Sequence, residues 1–430
     1  MSKELRRHVP GMQVIDRWFR VPHDHAHPGS GELEVFAREV VQAGREKDDL
    51  PYLVFLQGGP GFGSPRPLGL TGWLEVACAE YRVLLLDQRG TGSSAPISSQ
   101  TLAGMTPAEQ AAELALYRAD SIVKDAEIIR RELLGPDGRW TLLGQSFGGF
   151  CSVHYLSAAP EGLAGVLITG GLPPLDAHCD EVYRRTYVLT AERNRRYYER
   201  YPEDVERARA IVARLSEHKT RLPASGFLTP RRFQQLGQRF GMSDGFEMVH
   251  YLIEQAFVPG NEGPEPNHNF LREYENALGF DCCPIYAILH EPCYAQGFAT
   301  RWSAERVLAD FPEFALDGDG PVFFTGETVH PFLFETVDML RPLGKAADLL
   351  AEKADWPRLY DPDILAKNEV PCVAALYADD MYVARDLSEE TARTIRGCRV
   401  WITNEFDHDG LRTQGAKLLP RLLDMLHGRA

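Results

Sequence analysis

The sequence predicts an α/β fold: a mostly parallel sheet flanked by helices and interrupted by a mainly helical insertion. Three observations carry this reading. Short continuous apolar runs alternate with stretches of helical periodicity in the first 170 residues, long charged and aromatic helical patterns follow, and strand character then returns near residue 370. At 430 residues the chain is long for one ordinary domain, which fits a main domain carrying a large insertion.

The elements follow in order. Residues 11–21 and 31–41 alternate apolar and polar positions around a His/Pro/Gly-rich turn, the pattern of an antiparallel hairpin. Residues 53–56 and 83–86 are unbroken apolar runs ending in Gly-rich or Asp-rich loops, as buried parallel strands do. Residues 107–134 have helical periodicity, with Thr106 placed to cap and Pro107 at the first helical position, and lead to a strand at 140–143. A helix over 150–158 and a strand over 165–169 continue the strand–helix alternation, and right-handed crossovers turn that order into a parallel sheet with helices on both faces. After Gly170-Gly171-Leu172-Pro173-Pro174 come helical segments at 180–201 and 202–218, with few strand signals until about Trp356. Strands are expected again at 370–377 and 398–403, before a terminal helix over 418–426. The expected division is a core over 1–172, a helical cap over 173–356, and the rest of the core over 357–430. Neither an internal repeat nor a low-complexity tract interrupts it.

Composition narrows the function. Hydrophobic residues make up 44% of the chain and charged residues 25%, ordinary values for a folded globular protein. Acidic residues outnumber basic ones 61 to 46, a formal charge of -15, which argues against nucleic acid as partner. No apolar run approaches the ~20 residues of a membrane helix, and no secretory h-region follows Lys3, Arg6 and Arg7, so no membrane role and a cytoplasmic location are expected. The 8 cysteines show no CxxC ligand spacing and are too dilute for a disulfide scaffold.

The chemistry is concentrated in a few motifs. Gly144-Gln145-Ser146-Phe147-Gly148-Gly149 leaves a strand and opens a helix, as a nucleophile elbow does; its glycines suit the strained turn and the close strand–helix approach. That motif on this element order points to the α/β-hydrolase fold with Ser146 as nucleophile. A serine needs a base oriented by a carboxylate, in the chain order Ser, acid, His. Of 13 histidines, His408 stands in the loop after the last strand, and the loop after the preceding strand offers Asp379 and Asp380. Adjacent side chains diverge, so only one aspartate meets the imidazole, and Asp380 is preferred. The oxyanion donors are expected at the Phe147 N–H and in the loop Gly58-Gly59-Pro60-Gly61, where Pro60 has no N–H; of Gly58, Gly59 and Gly61, Gly59 is chosen. That loop lacks the Lys and Ser/Thr of a phosphate-binding loop. In Asp87-Gln88-Arg89-Gly90-Thr91-Gly92-Ser93, a turn locked by an Asp and Arg pair is preferred to catalysis.

With these motifs the chain resembles the proline iminopeptidases, α/β-hydrolases that remove N-terminal proline from peptides. The glycine–proline loop, the Asp87–Ser93 stretch, the elbow, Asp379-Asp380-Met381-Tyr382-Val383 and Ile288-Leu289-His290-Glu291-Pro292-Cys293-Tyr294 carry the resemblance, which runs from about residue 50 to residue 410. One departure is Gln57, where the family's loop usually begins with His; the long cap resembles that of the larger-bodied branch. The resemblance implies cap glutamates that hold the substrate amine, here Glu291 and Glu327. It also implies an aromatic slot for the proline ring, for which Tyr294, Trp302, Phe323 and Phe334 are candidates, with Cys293 near enough for a bulky thiol reagent to block the pocket. The function so implied is a serine exopeptidase acting on small peptides with N-terminal proline, needing no metal and no organic cofactor. The alternative is an esterase or amidase of another small acyl substrate. Oligomeric state is not readable from the sequence.

Overall fold

The computed structural model describes residues 3–261, 263–318 and 320–430. Its central feature is a nine-stranded sheet. Seven strands come from the first part of the chain: β1 (Lys3–Val9), β2 (Met12–Pro22), β3 (Glu32–Gln42), β4 (Tyr52–Leu56), β5 (Arg82–Leu86), β6 (Trp140–Gln145) and β7 (Leu163–Thr169). Two short hairpins follow outside the sheet: β8 (Thr220–Arg221) with β9 (Phe227–Leu228), and β10 (Phe257–Gly260) with β11 (Gly263–Pro266). The sheet is completed by β12 (Cys372–Tyr377) and β13 (Cys398–Thr403), in the spatial order β1-β2-β3-β5-β4-β6-β7-β12-β13. From β5 to β13 the strands are parallel, while β1, β2 and β3 add an antiparallel edge. The chain passes from β4 to β5 on one side and then to β6 on the other. The crevice at the carboxyl ends of β4 and β6 is therefore a topological switch point, the usual ligand position in an open α/β sheet.

Alternate residues of each strand serve opposite faces, as the two-residue period requires. Leu53 and Phe55 of β4 pack with α1 (Gly72–Cys78) and the terminal helix Gly410–Leu426. Val54 and Leu56 pack on the other face, with α2 (Pro107–Leu114), α3 (Ala119–Leu134) and α4 (Phe147–Ala158). Thr106 and Glu109 form a reciprocal capping box that starts α2 where the sequence predicts it, with Thr106 N–H donating to Glu109 Oε2 at 2.7 Å. The single helix expected over 107–134 is two helices. Arg118 is extended between them, and its buried guanidinium donates to the Ala295 carbonyl at 2.9 Å and lies 4.5 Å from the centre of the Trp356 ring.

The strand β1 was not expected. Its residues are almost all exposed, so it has no buried face to leave a period-two signature, and charged side chains suit it to an edge. The expected hairpin is present as β2 and β3, paired from Met12 with Gln42 to Pro22 with Glu32. Between β7 and β12 the chain is largely helical, led by α5 (Cys179–Arg200) and α6 (Asp204–Glu217), with the two unanticipated hairpins. Among the described residues no helix is long and apolar enough to cross a membrane.

Candidate active site

Ser146 sits between β6 and α4 with φ 54° and ψ -125°, a strained conformation for a residue with a side chain. Its N–H donates to the Thr169 carbonyl at 3.0 Å and its carbonyl accepts from Gly149 N–H at 2.7 Å, so neighbours on both sides hold the turn. The small residues around it are sterically required. A methyl at Gly148 would lie 1.9 Å from the Leu56 carbonyl oxygen, and one at Gly171 would lie 2.2 Å from the carbonyl oxygen of Ser146.

The loops after β12 and β13 bring Asp380 and His408 together. His408 Nδ1 and Asp380 Oδ2 are 2.7 Å apart, both side chains buried, and the other Asp380 oxygen accepts from Tyr382 N–H at 2.9 Å and Val383 N–H at 3.1 Å. This fixes the carboxylate and leaves Nε2 as the free edge of the imidazole. Burial pulls the His408 pKa down, but the charge and hydrogen bond of Asp380, helped by Glu327 and Asp409, outweigh it, and the net shift is upward. Asp379 faces away: it is paired with Arg196 at 2.7 Å, a hydrogen bond that lowers its pKa. The largely helical segment between β7 and β12 also holds the loop of His408. His408 N–H donates to the Gly241 carbonyl at 3.1 Å, and Asp409 accepts from Ser243 N–H at 3.1 Å.

A cavity of about 300 Å³ is lined by Ser146, His408 and Glu327, with Gly58, Gly59 and four aromatic rings, Phe62, Phe280, Tyr286 and Tyr382. Glu327 Oε1 accepts from the Tyr286 hydroxyl at 2.8 Å, and Oε2 is 3.7 Å from His290 Nε2. Burial pushes the Glu327 carboxyl up, yet the neighbouring His290, the charge of His408 and the Tyr286 hydroxyl outweigh it, and the net shift is downward. An ionised carboxylate therefore faces the space above the serine.

Glu291 and Tyr294 do not reach this wall. Glu291 is buried, with one oxygen accepting from Ser303 N–H at 3.0 Å and the other from Ala304 N–H at 2.8 Å; burial raises its pKa against these bonds. It holds the start of the helix Ser303–Leu308. The Tyr294 ring packs on Phe150 at 5.4 Å, Trp302 on Phe334 at 5.6 Å and Phe323 on Phe314 at 5.8 Å, all away from the cavity. Cys293 is buried with its thiol donating to the His290 carbonyl at 2.8 Å, and burial pushes its pKa well up, so it is no ready thiolate.

The residues that sequence reasoning missed are Tyr286 and His290. They stand four apart at the helix Pro284–Leu289 and its end, a spacing that puts both on one face toward Glu327, and that spacing was the available signal.

In the glycine loop, a methyl on Gly58 would come within 2.8 Å of Ser146 Cβ, so the close approach of this loop to Ser146 requires a glycine. Gly59 follows with φ 134° and precedes a cis peptide to Pro60. Phe147 is the first residue of α4, so its N–H has no acceptor within the helix. The Asp and Arg of the Asp87–Ser93 turn do not pair with each other. Asp87 accepts from Arg66 at 2.8 Å and from Ser64 and Ser93 N–H, while Arg89 pairs with Asp125 at 2.6 Å. The turn is locked both by its own Ser93 N–H and by partners outside it, Arg66, Ser64 and Asp125.

A serine at a nucleophile elbow at the switch point of such a sheet defines the class, a serine hydrolase of the α/β-hydrolase fold. A family model described as alpha/beta hydrolase fold matches residues 51–221. A proline iminopeptidase of Aeromonas sobria is 47% identical over 424 residues, 98% of this chain and 99% of that protein, and one of Aspergillus aculeatus is 36% identical, with 98% and 95% covered. The chain belongs to the proline iminopeptidase family. With a proline iminopeptidase of Neisseria gonorrhoeae the likeness, 33% identity, spans 124 residues, 29% of this chain and 33% of that protein.

Proposed function

We propose that this enzyme removes N-terminal proline from small peptides through an acyl-enzyme on Ser146. The observation that carries the reading is Glu327, an ionised carboxylate in the wall of the cavity that Ser146 and His408 also line. A serine hydrolase of neutral esters gains nothing from an anion there, whereas a protonated terminal amine needs one. The full-length likeness to the proline iminopeptidase of Aeromonas sobria supports the same substrate. The division of labour follows the proposed domains: the core, 1–172 and 357–430, carries the reacting groups, and the cap, 173–356, carries the amine site.

Ser146 Oγ attacks the prolyl carbonyl and its proton passes to His408 Nε2, while Asp380 holds Nδ1–H and stabilises the imidazolium. Gly59 and Phe147 N–H groups receive the oxyanion. His408 then protonates the departing amine. In the second half His408 deprotonates a water, which attacks the acyl carbon and returns the serine as proline leaves. Glu327 holds the substrate amine, with Tyr286 and His290 fixing its two oxygens, and Phe62, Phe280 and Tyr286 surround the ring. Glu291 acts indirectly, by holding the cap helix at Ser303.

The test is release of an arylamine from proline, alanine and N-acetyl-proline derivatives. Cleavage of the free proline compound, abolished by acetylation, is expected. Equal cleavage of the acetylated compound would remove the amine site from the account.

A further inference from the structure

A second cavity, of about 460 Å³, meets the first at Gln57, Gln145, Met242 and His408, which line both. Glu327 lines the first cavity and not the second. Much of its wall is apolar, with Phe55 and Leu85 from the ends of β4 and β5, Trp73 and Leu74 from α1, and Leu411 from the terminal helix. Leu68 stands at the rim 98% exposed, a large apolar side chain with nothing covering it. Among the described residues of the lining, the guanidinium of Arg412 is already paired with Asp409.

From this we infer that the second cavity is the leaving-group subsite, and that it takes the side chain of the residue following proline, with preference for large apolar or aromatic side chains. The inference rests on the proposed proline reaction and extends it. Two arms leave the attacked carbonyl. The acyl arm, ring and amine, is held toward Glu327. The other arm begins with the nitrogen that His408 must protonate, so it lies within hydrogen-bond reach of His408, and the next side chain branches from the carbon bonded to that nitrogen. The remaining space bounded by His408 is the apolar cavity. A side chain entering it removes apolar surface from water, whereas an acidic one is desolvated without a partner.

The experiment is a comparison of kcat/KM for proline release from Pro-Phe, Pro-Leu, Pro-Ala and Pro-Asp amides, with wild-type protein and with Leu68→Asp and Trp73→Ala. Leu68 is fully exposed, so its replacement leaves the core intact even where Trp73→Ala perturbs folding. Phe and Leu are expected to exceed Ala by roughly tenfold, the scale of burying two or so methylenes, with Asp poorest. Leu68→Asp is expected to shrink the Phe-to-Ala ratio severalfold. Equal efficiency across the four amides, or a ratio unchanged by Leu68→Asp, would overturn the subsite while leaving the proline reaction standing. Release from none of them would overturn both.

Discussion

Arg193 on the cap helix α5 donates to the carboxylate of Asp407, the residue immediately before His408. The same guanidinium nitrogen donates at 3.0 Å to the carbonyl of Asp379, the residue immediately before Asp380. One mostly buried arginine thus ties the loop of Asp380 to the loop of His408.

Arg193→Ala is expected to loosen that tie and lower kcat by roughly ten- to a hundredfold, the cost of an imperfectly placed base, with a smaller change in KM. Arg193→Lys keeps the charge and a nitrogen with three donors, but its shorter side chain lacks the planar guanidinium that holds the bonds in place, so partial recovery is expected. Steady-state kinetics with a prolyl arylamide checks this; an equal loss in both variants, matched by lost thermal stability, would assign the arginine to folding alone.

The pH profile follows from His408. In the proposed mechanism its neutral form is the base, so activity is expected to rise as pH passes upward through its pKa. Asp380 and Glu327, both anionic, favour the imidazolium and raise that pKa, which places the acid limb above the ordinary histidine value of about 6.5. Asp380→Asn removes one of those anions. It is expected to move the limb to lower pH and to reduce kcat by up to about 10⁴ through the loss of imidazole orientation. On the alkaline side, kcat/KM is expected to fall as the substrate amine, near pKa 7.7–8.0 for an ordinary terminal amine, loses the proton that Glu327 recognises. An acid limb unmoved by Asp380→Asn would contradict the assignment.

The two glutamates are expected to separate. Glu327→Gln removes a charged hydrogen bond of about 1.5–3 kcal/mol, so kcat/KM for free proline amides should fall roughly ten- to a hundredfold. Glu291→Gln turns an amide N–H toward a backbone N–H that now meets an acceptor, either Ser303 or Ala304, so it should lower stability by about 1–3 kcal/mol in chemical denaturation. Discrimination between free and acetylated proline should survive it. Loss of that discrimination in Glu291→Gln, with Glu327→Gln unaffected, would reverse the roles assigned to them.

Much of this arrangement was legible in the chain because it is written in local patterns. The apolar runs at β4 and β5 and the glycines flanking Ser146 each answer a requirement visible within a few residues. His408 and Asp380 could be placed because loops at adjacent strand ends converge, as β12 and β13 do. The cap was less legible. Glu291 carries the charge in its motif, but whether a carboxylate faces a cavity or a helix start depends on the packing of distant segments, here 291 against 303. His290, beside it, reaches toward Glu327; its spacing from Tyr286 marks their common helix face but not what that face meets. The break at Arg118 is hidden for the same reason, since its acceptor lies 177 residues away.

The central claim is that Ser146 is acylated by the prolyl group and that His408 serves both halves of the reaction. Intact-mass spectrometry of the protein quenched during turnover of a proline ester tests it most directly, with Ser146→Ala in parallel. The account predicts a prolyl mass increment confined to Ser146 in the wild type, with neither increment nor turnover in the variant. Undiminished turnover by Ser146→Ala would contradict it.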